Sequence, residues 1–349
     1  MKAPSDRTDI RTLSSEKLAT ELKALGEPAF RSRQIESWIW DKGAYSFEQM
    51  TNLGDGLREK LNENFALSRV EIGETQVSQD GTVKCSFEIA ANQVVEGVLI
   101  PTSKRMTACI SSQVGCSLAC AFCATGRLKL LKNLTGGEIV DQVRRLAELA
   151  QEHHGKGLSN IVYMGMGEPL LNYRSVMESI DRITGTPGLG MSPSRITVST
   201  AGIAKMIRRM GDDETRVNLA ISLHAATDEK RDKIMAINET NNLDALRDAV
   251  QHFYTQTNTR PTFEYVLLRD FNDSVEDARA LARFAQCVPC KINLIEYNPI
   301  DGGQFHRSDA DTTDDFKFYL EDHFNMIVNV RRSRGEDIDA ACGQLAGKS

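Results

Sequence analysis

Beyond residue 105 the chain alternates between short β-prone runs and longer amphipathic stretches, and this alternation limits the possible fold more than any other feature. The strand candidates are Thr107 to Ser111, Asn160 to Met164, Arg195 to Thr200, Val217 to Ser222, Thr262 to Leu267, Lys291 to Glu296 and Met326 to Arg331. Between them apolar residues recur at helical spacing, as in Ile139, Val143, Leu146 and Ala150 behind a capping box at Thr135 and Glu138. Leu243, Leu246, Val250 and Phe253 repeat the pattern. Successive strand–helix units predict a parallel sheet with helices outside it, as an open sheet or a barrel. In such folds chemistry gathers at the C-terminal ends of the strands.

The upstream third reads differently. From about residue 12 to 66 the spacing is helical, with Leu13, Leu18, Leu22 and Leu25, a break at Gly26 to Pro28, then Phe30, Ile35, Trp38, Ile39, Leu57 and Leu61. Asp80-Gly81 lies between two alternating runs, Thr75 to Ser78 and Thr82 to Ile89, as a hairpin turn. The expected division is a helical accessory domain over 1–70, a β-rich linker over 71–101, a strand–helix core over 102–335 and a tail over 336–349.

No stretch is apolar for the length of a membrane span, and no opening segment reads as a secretion signal. Eight cysteines in 349 residues are then expected to be reduced thiols and ligands in the cytoplasm, with no membrane partner. The net charge of -6 argues against a generally basic nucleic-acid binder. Local basic groups nevertheless crowd the motifs: Arg127, Lys129 and Lys132, the pair Arg208 and Arg209, and Arg331, Arg332 and Arg334. Arg31, Arg33 and Lys42 accompany Trp38 and Trp40, which serve either plain packing or a nucleic-acid grip.

Cys116, Cys120 and Cys123 stand on one short loop with Phe122 just before the last of them. Thiolates so spaced can wrap one iron–sulfur cubane, leaving its fourth iron open to a small molecule. A structural zinc site would want a second cysteine or histidine couple, and none of that pattern lies nearby. Further candidates fall at later strand ends. Met164 to Pro169 contains Gly165, Gly167 and Glu168, either a plain tight turn or a close ligand approach with an acceptor for an ammonium group. Ser199 to Gly202, Ser222 to His224 and Asn298 end the next strands. Cys342 in the tail is either a reactive thiol or an apolar filler, and Cys109 precedes the cluster loop. Cys287 and Cys290 lack a partner couple and read as incidental, and Cys85 reads as core.

Taken together, Cys109 to Cys116, the cysteine loop, Gly165 to Asn172, Ser222 to His224 and Asp337 to Leu345 closely resemble the RlmN/Cfr family of radical S-adenosylmethionine (SAM) RNA methyltransferases. The resemblance implies a partial (β/α)6 radical SAM barrel with a small N-terminal helical domain and a β-hairpin linker. It implies a 4Fe-4S cluster on Cys116, Cys120 and Cys123, and SAM held at Gly167, Glu168, Ser199, Ser222, Leu223, His224 and Asn298. The substrate it implies is an adenosine in the peptidyl-transferase centre of 23S rRNA, with an adenosine beside the anticodon of some tRNAs as a second one. A monomer fed by an external electron donor such as flavodoxin is expected.

The implied cycle uses two SAM molecules. Cys342 first takes a methyl group by displacement. A second SAM, cleaved reductively, turns that methyl into a carbon radical that adds to the base. Glu96 matches the family's base for the ring proton, and Cys109 then attacks the sulfur of Cys342, releasing methylated RNA with a transient disulfide. Glu168-Pro169-Leu170-Leu171-Asn172 resembles the branch that modifies adenine C2 and not the resistance branch that modifies C8.

Overall fold

The computed structural model describes residues 7–67, 69–90 and 93–347, so the outermost residues of the expected accessory domain and tail lie outside it. Among the described residues ten strands form one sheet. In chain order these are β1 (Glu71–Val77), β2 (Val83–Ala90), β3 (Gln93–Pro101), β4 (Met106–Cys109), β5 (Asn160–Tyr163), β6 (Ile196–Thr200), β7 (Asn218–Ser222), β8 (Thr262–Leu267), β9 (Lys291–Glu296) and β10 (Val328–Arg331). Their spatial order is their chain order. From β4 to β10 every neighbour pairs in parallel, while β1 to β4 pair antiparallel.

Six strand–helix units and a closing seventh parallel strand therefore make the (β/α)6 arrangement. The connecting helices include α4 (Gly136–His154), α5 (Tyr173–Thr184), α6 (Ala204–Asp212), α7 (Asp228–Ile234), α8 (Leu243–Thr257), α9 (Val275–Ala285) and α10 (Ala310–Phe324), here numbered after three N-terminal helices, α1 (Ser15–Ala24), α2 (Arg31–Glu36) and α3 (Asp55–Asn64). Local sequence explains where they start. The capping box at Thr135 and Glu138 forms as expected, with the Glu138 amide donating to Thr135 Oγ1 at 3.2 Å and the Thr135 amide to Glu138 Oε2 at 2.8 Å. Asn242 caps α8 through the Ala245 amide at 3.0 Å. Strand β8 is buried on both faces for five of its six residues, which is why Phe263 to Leu267 reads as a mixed apolar run instead of a strict alternation.

Residues 71–101, expected as a β-rich linker, are β-rich throughout the described part. They form three strands laid onto the barrel's first strand, with Val98 opposite Cys109, so the antiparallel wing and the barrel share one sheet. The hairpin turn falls between Ser78 and Thr82, but β1 begins four residues earlier than Thr75, across a bulge between Ile72 and Thr75. The outer strand β1 is largely exposed and carries Glu71 and Glu74, charges that blunt an open edge.

The helical module is fastened to α4. Arg11 Nη1 lies 2.6 Å from Asp141 Oδ2, which also accepts the Val70 amide at 3.0 Å. Trp40 is buried beneath Arg182, whose guanidinium lies 4.7 Å from the ring centroid. Trp40 thus packs the module, whereas Trp38 is half-buried under Lys42.

Candidate active site

One cavity at the C-terminal ends of the parallel strands is lined by all three loop cysteines, and by Gly167, Glu168, Ser199, Ser222, His224, Asn298 and Cys342. The cysteine loop follows β4. It curls tightly, with the Cys123 amide donating to the Cys120 carbonyl at 3.2 Å and Ala119 in the left-handed region at φ 51°. Gly115 opens the loop at φ 77°, and a Cβ there would lie 2.0 Å from the Lys129 carbonyl oxygen. Burial pushes the three thiols upward in pKa, most strongly Cys120, where the neighbouring sulfurs add to the effect. Iron bound there would stabilise the thiolates and release their protons. Three sulfurs facing one cavity on a single loop fit a cubane with one iron left for SAM.

The turn after β5 supplies the next wall. Gly167 has φ 95°, and a Cβ would stand 2.5 Å from Gln113 Cβ, so only glycine fits. Gln113 Oε1 accepts the Glu168 amide at 2.7 Å. The Glu168 carboxylate is pinned by the amides of Leu170 at 2.9 Å and Ala201 at 2.7 Å, and burial raises its pKa to about 7. A cationic ammonium group entering the cavity would favour its charged form. Ser199 and Ser222 face each other with hydroxyls 3.4 Å apart.

His224 sits at φ 58° with its ring edge-on to Phe122, the centroids 4.7 Å apart. The Val266 amide donates to Nδ1 at 3.1 Å, so the ring proton belongs on Nε2. Burial, with Arg231 adding to it, pushes its pKa down to about 3. The Leu223 side chain is fully buried in the core, and its amide donates to the Glu264 carbonyl at 3.0 Å, between the cavity-lining Ser222 and His224. Asn298 lines the cavity but is engaged with protein: its Nδ2 donates to the Cys342 carbonyl at 3.2 Å, and its Oδ1 accepts from Ser333 and Arg307.

The tail is strapped across this mouth. The Ala124 amide donates to the Gly343 carbonyl at 2.7 Å, Thr125 Oγ1 to the Leu345 carbonyl at 2.6 Å, and Gln344 Nε2 to the Pro299 carbonyl at 3.2 Å. Cys342, immediately before these anchors, is exposed. Cys109 is buried at the end of β4, where burial and the nearby Cys342 sulfur push its pKa up to about 12. Glu96, on β3, is not on the cavity wall; its carboxylate meets the tail's last described residues. Cys287 and Cys290 lie away from the cavity, and Cys85 is buried in the sheet.

Three further residues shape the site: Arg331, already noted among the basic groups, whose partners the sequence does not show, and Arg231 and Asn272, which carry no local signal. Arg331 Nη2 lies 3.9 Å from Cys342 Sγ while Nη1 pairs with Glu264 at 3.0 Å. Fully buried Arg231 reaches the Leu223 carbonyl at 3.1 Å and the Ala201 carbonyl at 2.6 Å, joining two strand ends. Asn272 holds the His224 carbonyl at 2.7 Å. A basic residue closing a strand, as Arg331 does, was the one available signal.

The fold and this three-thiol cavity define a radical SAM enzyme, and the radical SAM superfamily matches residues 110–284. Residues 8–67 match the ribosomal RNA large subunit methyltransferase N-terminal domain. The chain is 54% identical to a Cytophaga hutchinsonii protein named probable dual-specificity RNA methyltransferase RlmN, across 97% of this chain and 93% of that one. It is 44% identical to the dual-specificity RNA methyltransferase RlmN of Anaeromyxobacter dehalogenans, across 98% of this chain and 93% of the other. A crystal structure of a radical SAM methyltransferase from Sphaerobacter thermophilus superposes with a TM-score of 0.91 at 37% identity, covering 98% of this chain and 100% of that one. The chain belongs to the RlmN family of radical SAM methyltransferases, which use a 4Fe-4S cluster and SAM.

Proposed function

We propose that the protein methylates C2 of an adenosine in the peptidyl-transferase centre of 23S rRNA, with Cys342 as the methyl carrier and a tRNA adenosine beside the anticodon as a second substrate. The observation that carries this reading is the tail: it brings Cys342 to the cavity that holds the three loop cysteines. The dual-specificity names of the relatives support two RNA substrates. C2 of adenine lies between two ring nitrogens and is not a nucleophile, so simple displacement on SAM is closed to it. Held by Cys116, Cys120 and Cys123, a 4Fe-4S cluster with SAM would supply one-electron chemistry, fed by an external donor such as flavodoxin.

The chain's own residues divide the remaining work. Cys116, Cys120 and Cys123 hold the cluster. Glu168, Ser199, Ser222 and the backbone near Gly167 receive SAM, with neutral His224 offering its Nε2 proton. Cys342 accepts a methyl group, its sulfur forming the new bond to carbon as the sulfonium bond breaks. After one electron leaves the adduct, Glu96 removes the ring proton, and Cys109 attacks the Cys342 sulfur, the S–S bond forming as the sulfur–carbon bond to the RNA breaks; the external donor then reduces the disulfide. Residues 1–70 act as an accessory grip, 102–335 as the catalytic core and 336–349 as the carrier tail.

Peptide mass after anaerobic purification tests the carrier: one added methyl group is expected on Cys342. RNA from an overexpressing host is expected to gain 2-methyladenosine. Finding 8-methyladenosine alone would reject the C2 assignment.

A further inference from the structure

Glu96 has partners that a waiting base would not have. It is 2% exposed, and its Oε2 accepts two amides, from Ala346 at 2.7 Å and Gly347 at 2.8 Å. Its Oε1 lies 3.6 Å from Lys84 Nζ. A carboxylate oxygen offers about two acceptor directions, so Oε2 is filled. Amide bonds to a buried carboxylate are charge-assisted and stronger than neutral ones.

The placement of Glu96 is itself fixed. Its carbonyl accepts Ser111 Oγ at 2.6 Å, and the same hydroxyl oxygen accepts the Met166 amide at 2.8 Å. Strand β3, the start of the cysteine loop and the Gly165–Gly167 turn are therefore joined at this glutamate. Along the tail, the Asn298 side chain holds the Cys342 carbonyl, and Thr125 holds the Leu345 carbonyl. The Leu345 side chain is buried. Past Leu345, the Glu96 carboxylate receives the next two amides.

We infer that Glu96 is a positioning residue for the tail: by seating Ala346 and Gly347 it holds Cys342 at the cavity, and it is unavailable to the substrate until those two residues withdraw. The inference rests on the reading of Cys342 as methyl carrier and Glu96 as base. One carboxylate then serves two stages in a fixed order. With the tail seated, Cys342 faces the cavity and can be methylated. With residues 346–347 gone, Oε2 regains a free acceptor direction and the groove that Gly347 lines beside Met166 and Val94 is opened toward it. The two states exclude each other, so a ring proton is not removed while the tail is docked for its own methylation.

The test uses the full-length, cluster-reconstituted protein without RNA. Hydrogen exchange of the amides at 343–347 and SAM-dependent methylation of Cys342, read by peptide mass, are compared among wild type, Ala346→Pro, Glu96→Ala and Glu96→Gln. Ala346→Pro deletes one donor and leaves Glu96 intact. Loss of a hydrogen bond to a charged group predicts tail exchange faster by roughly 10- to 100-fold, with Cys342 methylation slowed to match. Glu96→Gln keeps one acceptor oxygen for the two amides, although its NH2 then faces Lys84, and is expected between wild type and Glu96→Ala. Equal iron content and equal SAM binding across the set show that each variant is folded.

Unchanged tail exchange in both Ala346→Pro and Glu96→Ala would overturn the anchor. Faster exchange with unchanged Cys342 methylation would overturn the positioning role. Faster exchange in a protein whose wild type never carries methyl on Cys342 would leave the anchor standing and reject the carrier reading.

Discussion

Replacing Arg331 with Met should destabilise the protein through a residue that Arg331 leaves behind. Glu264 is 4% exposed at its side chain and receives two donors, Arg331 Nη1 at 3.0 Å and Asn293 Nδ2 at 2.8 Å. Removing the guanidinium strands a carboxylate in the sheet. Breaking a buried ion pair from one side costs about 3–5 kcal/mol. The lower edge applies, since the Arg331 side chain is 32% exposed and Asn293 still satisfies one oxygen. An unfolding entropy of about 2 cal/mol/K per residue turns about 3 kcal/mol into a fall in Tm of roughly 4 °C for a chain of this length. Anaerobic scanning calorimetry at one scan rate and matched iron content would measure it. Adding Glu264→Gln removes the stranded charge, so the double variant should regain more than half of the loss. A single variant as stable as wild type, or a double variant less stable than the single, would refute this account. Arg331→Lys keeps the charge but loses the planar fork that reaches Glu264 and Cys342 together, and should fall between.

Three further outcomes are expected. His224 is held neutral, its pKa pushed down to about 3 by burial first and Arg231 second. Between about pH 6.5 and 3 the unfolded chain therefore binds a proton that the folded chain does not, and stability falls as pH falls through that window. His224→Asn should flatten the acid limb of the urea midpoint against pH, and curves parallel to wild type would contradict this. Gly167→Ala places a Cβ 2.5 Å from Gln113 Cβ at φ 95°, and should weaken SAM binding to the reconstituted cluster at least about tenfold, read from the cluster's electron paramagnetic signal. Arg231→Met leaves the Ala201 and Leu223 carbonyls without their buried donor and should lower stability by about 2–4 kcal/mol in urea, together with SAM affinity; loss of neither would show that those strand ends are held otherwise.

Local pattern carried the barrel. The strands Thr262–Leu267 and Lys291–Glu296 run over the residues their composition predicts, because parallel strands buried by helices are apolar enough to stand out. Strand starts drifted by one or two residues, since Arg195 and Met326 to Ile327, which head the expected runs, lie outside the ladder. The site's cysteines and strand-end polar residues were legible for a topological reason: once strands are parallel, their C-terminal ends share one mouth. Long-range partners were not legible. Nothing local to Glu96 signals that amides 250 and 251 residues away converge on it, and Glu264 reads as an ordinary strand charge until Arg331 is placed beside it.

The antiparallel wing explains why that mouth can serve both cluster and tail. A barrel of parallel strands ends at β4, and the loop after β4 is committed to the three cysteines. Extending the same sheet backward through β3, β2 and β1 places the turn at Ser78 to Thr82 beside the chain leaving β10. Asp337 there accepts Ser78 Oγ at 2.6 Å, and the Gly335 amide reaches Asp80 at 3.2 Å. The wing thus catches the tail before Cys342, and β3 catches it again after Cys342 through Glu96. With both sides of the thiol tied to one continuous sheet, Cys342 can be exposed and still positioned. A free linker between accessory module and barrel would leave the tail anchored only by the cluster loop and the strand ends, so the sheet extension is what turns a C-terminal cysteine into part of the cavity.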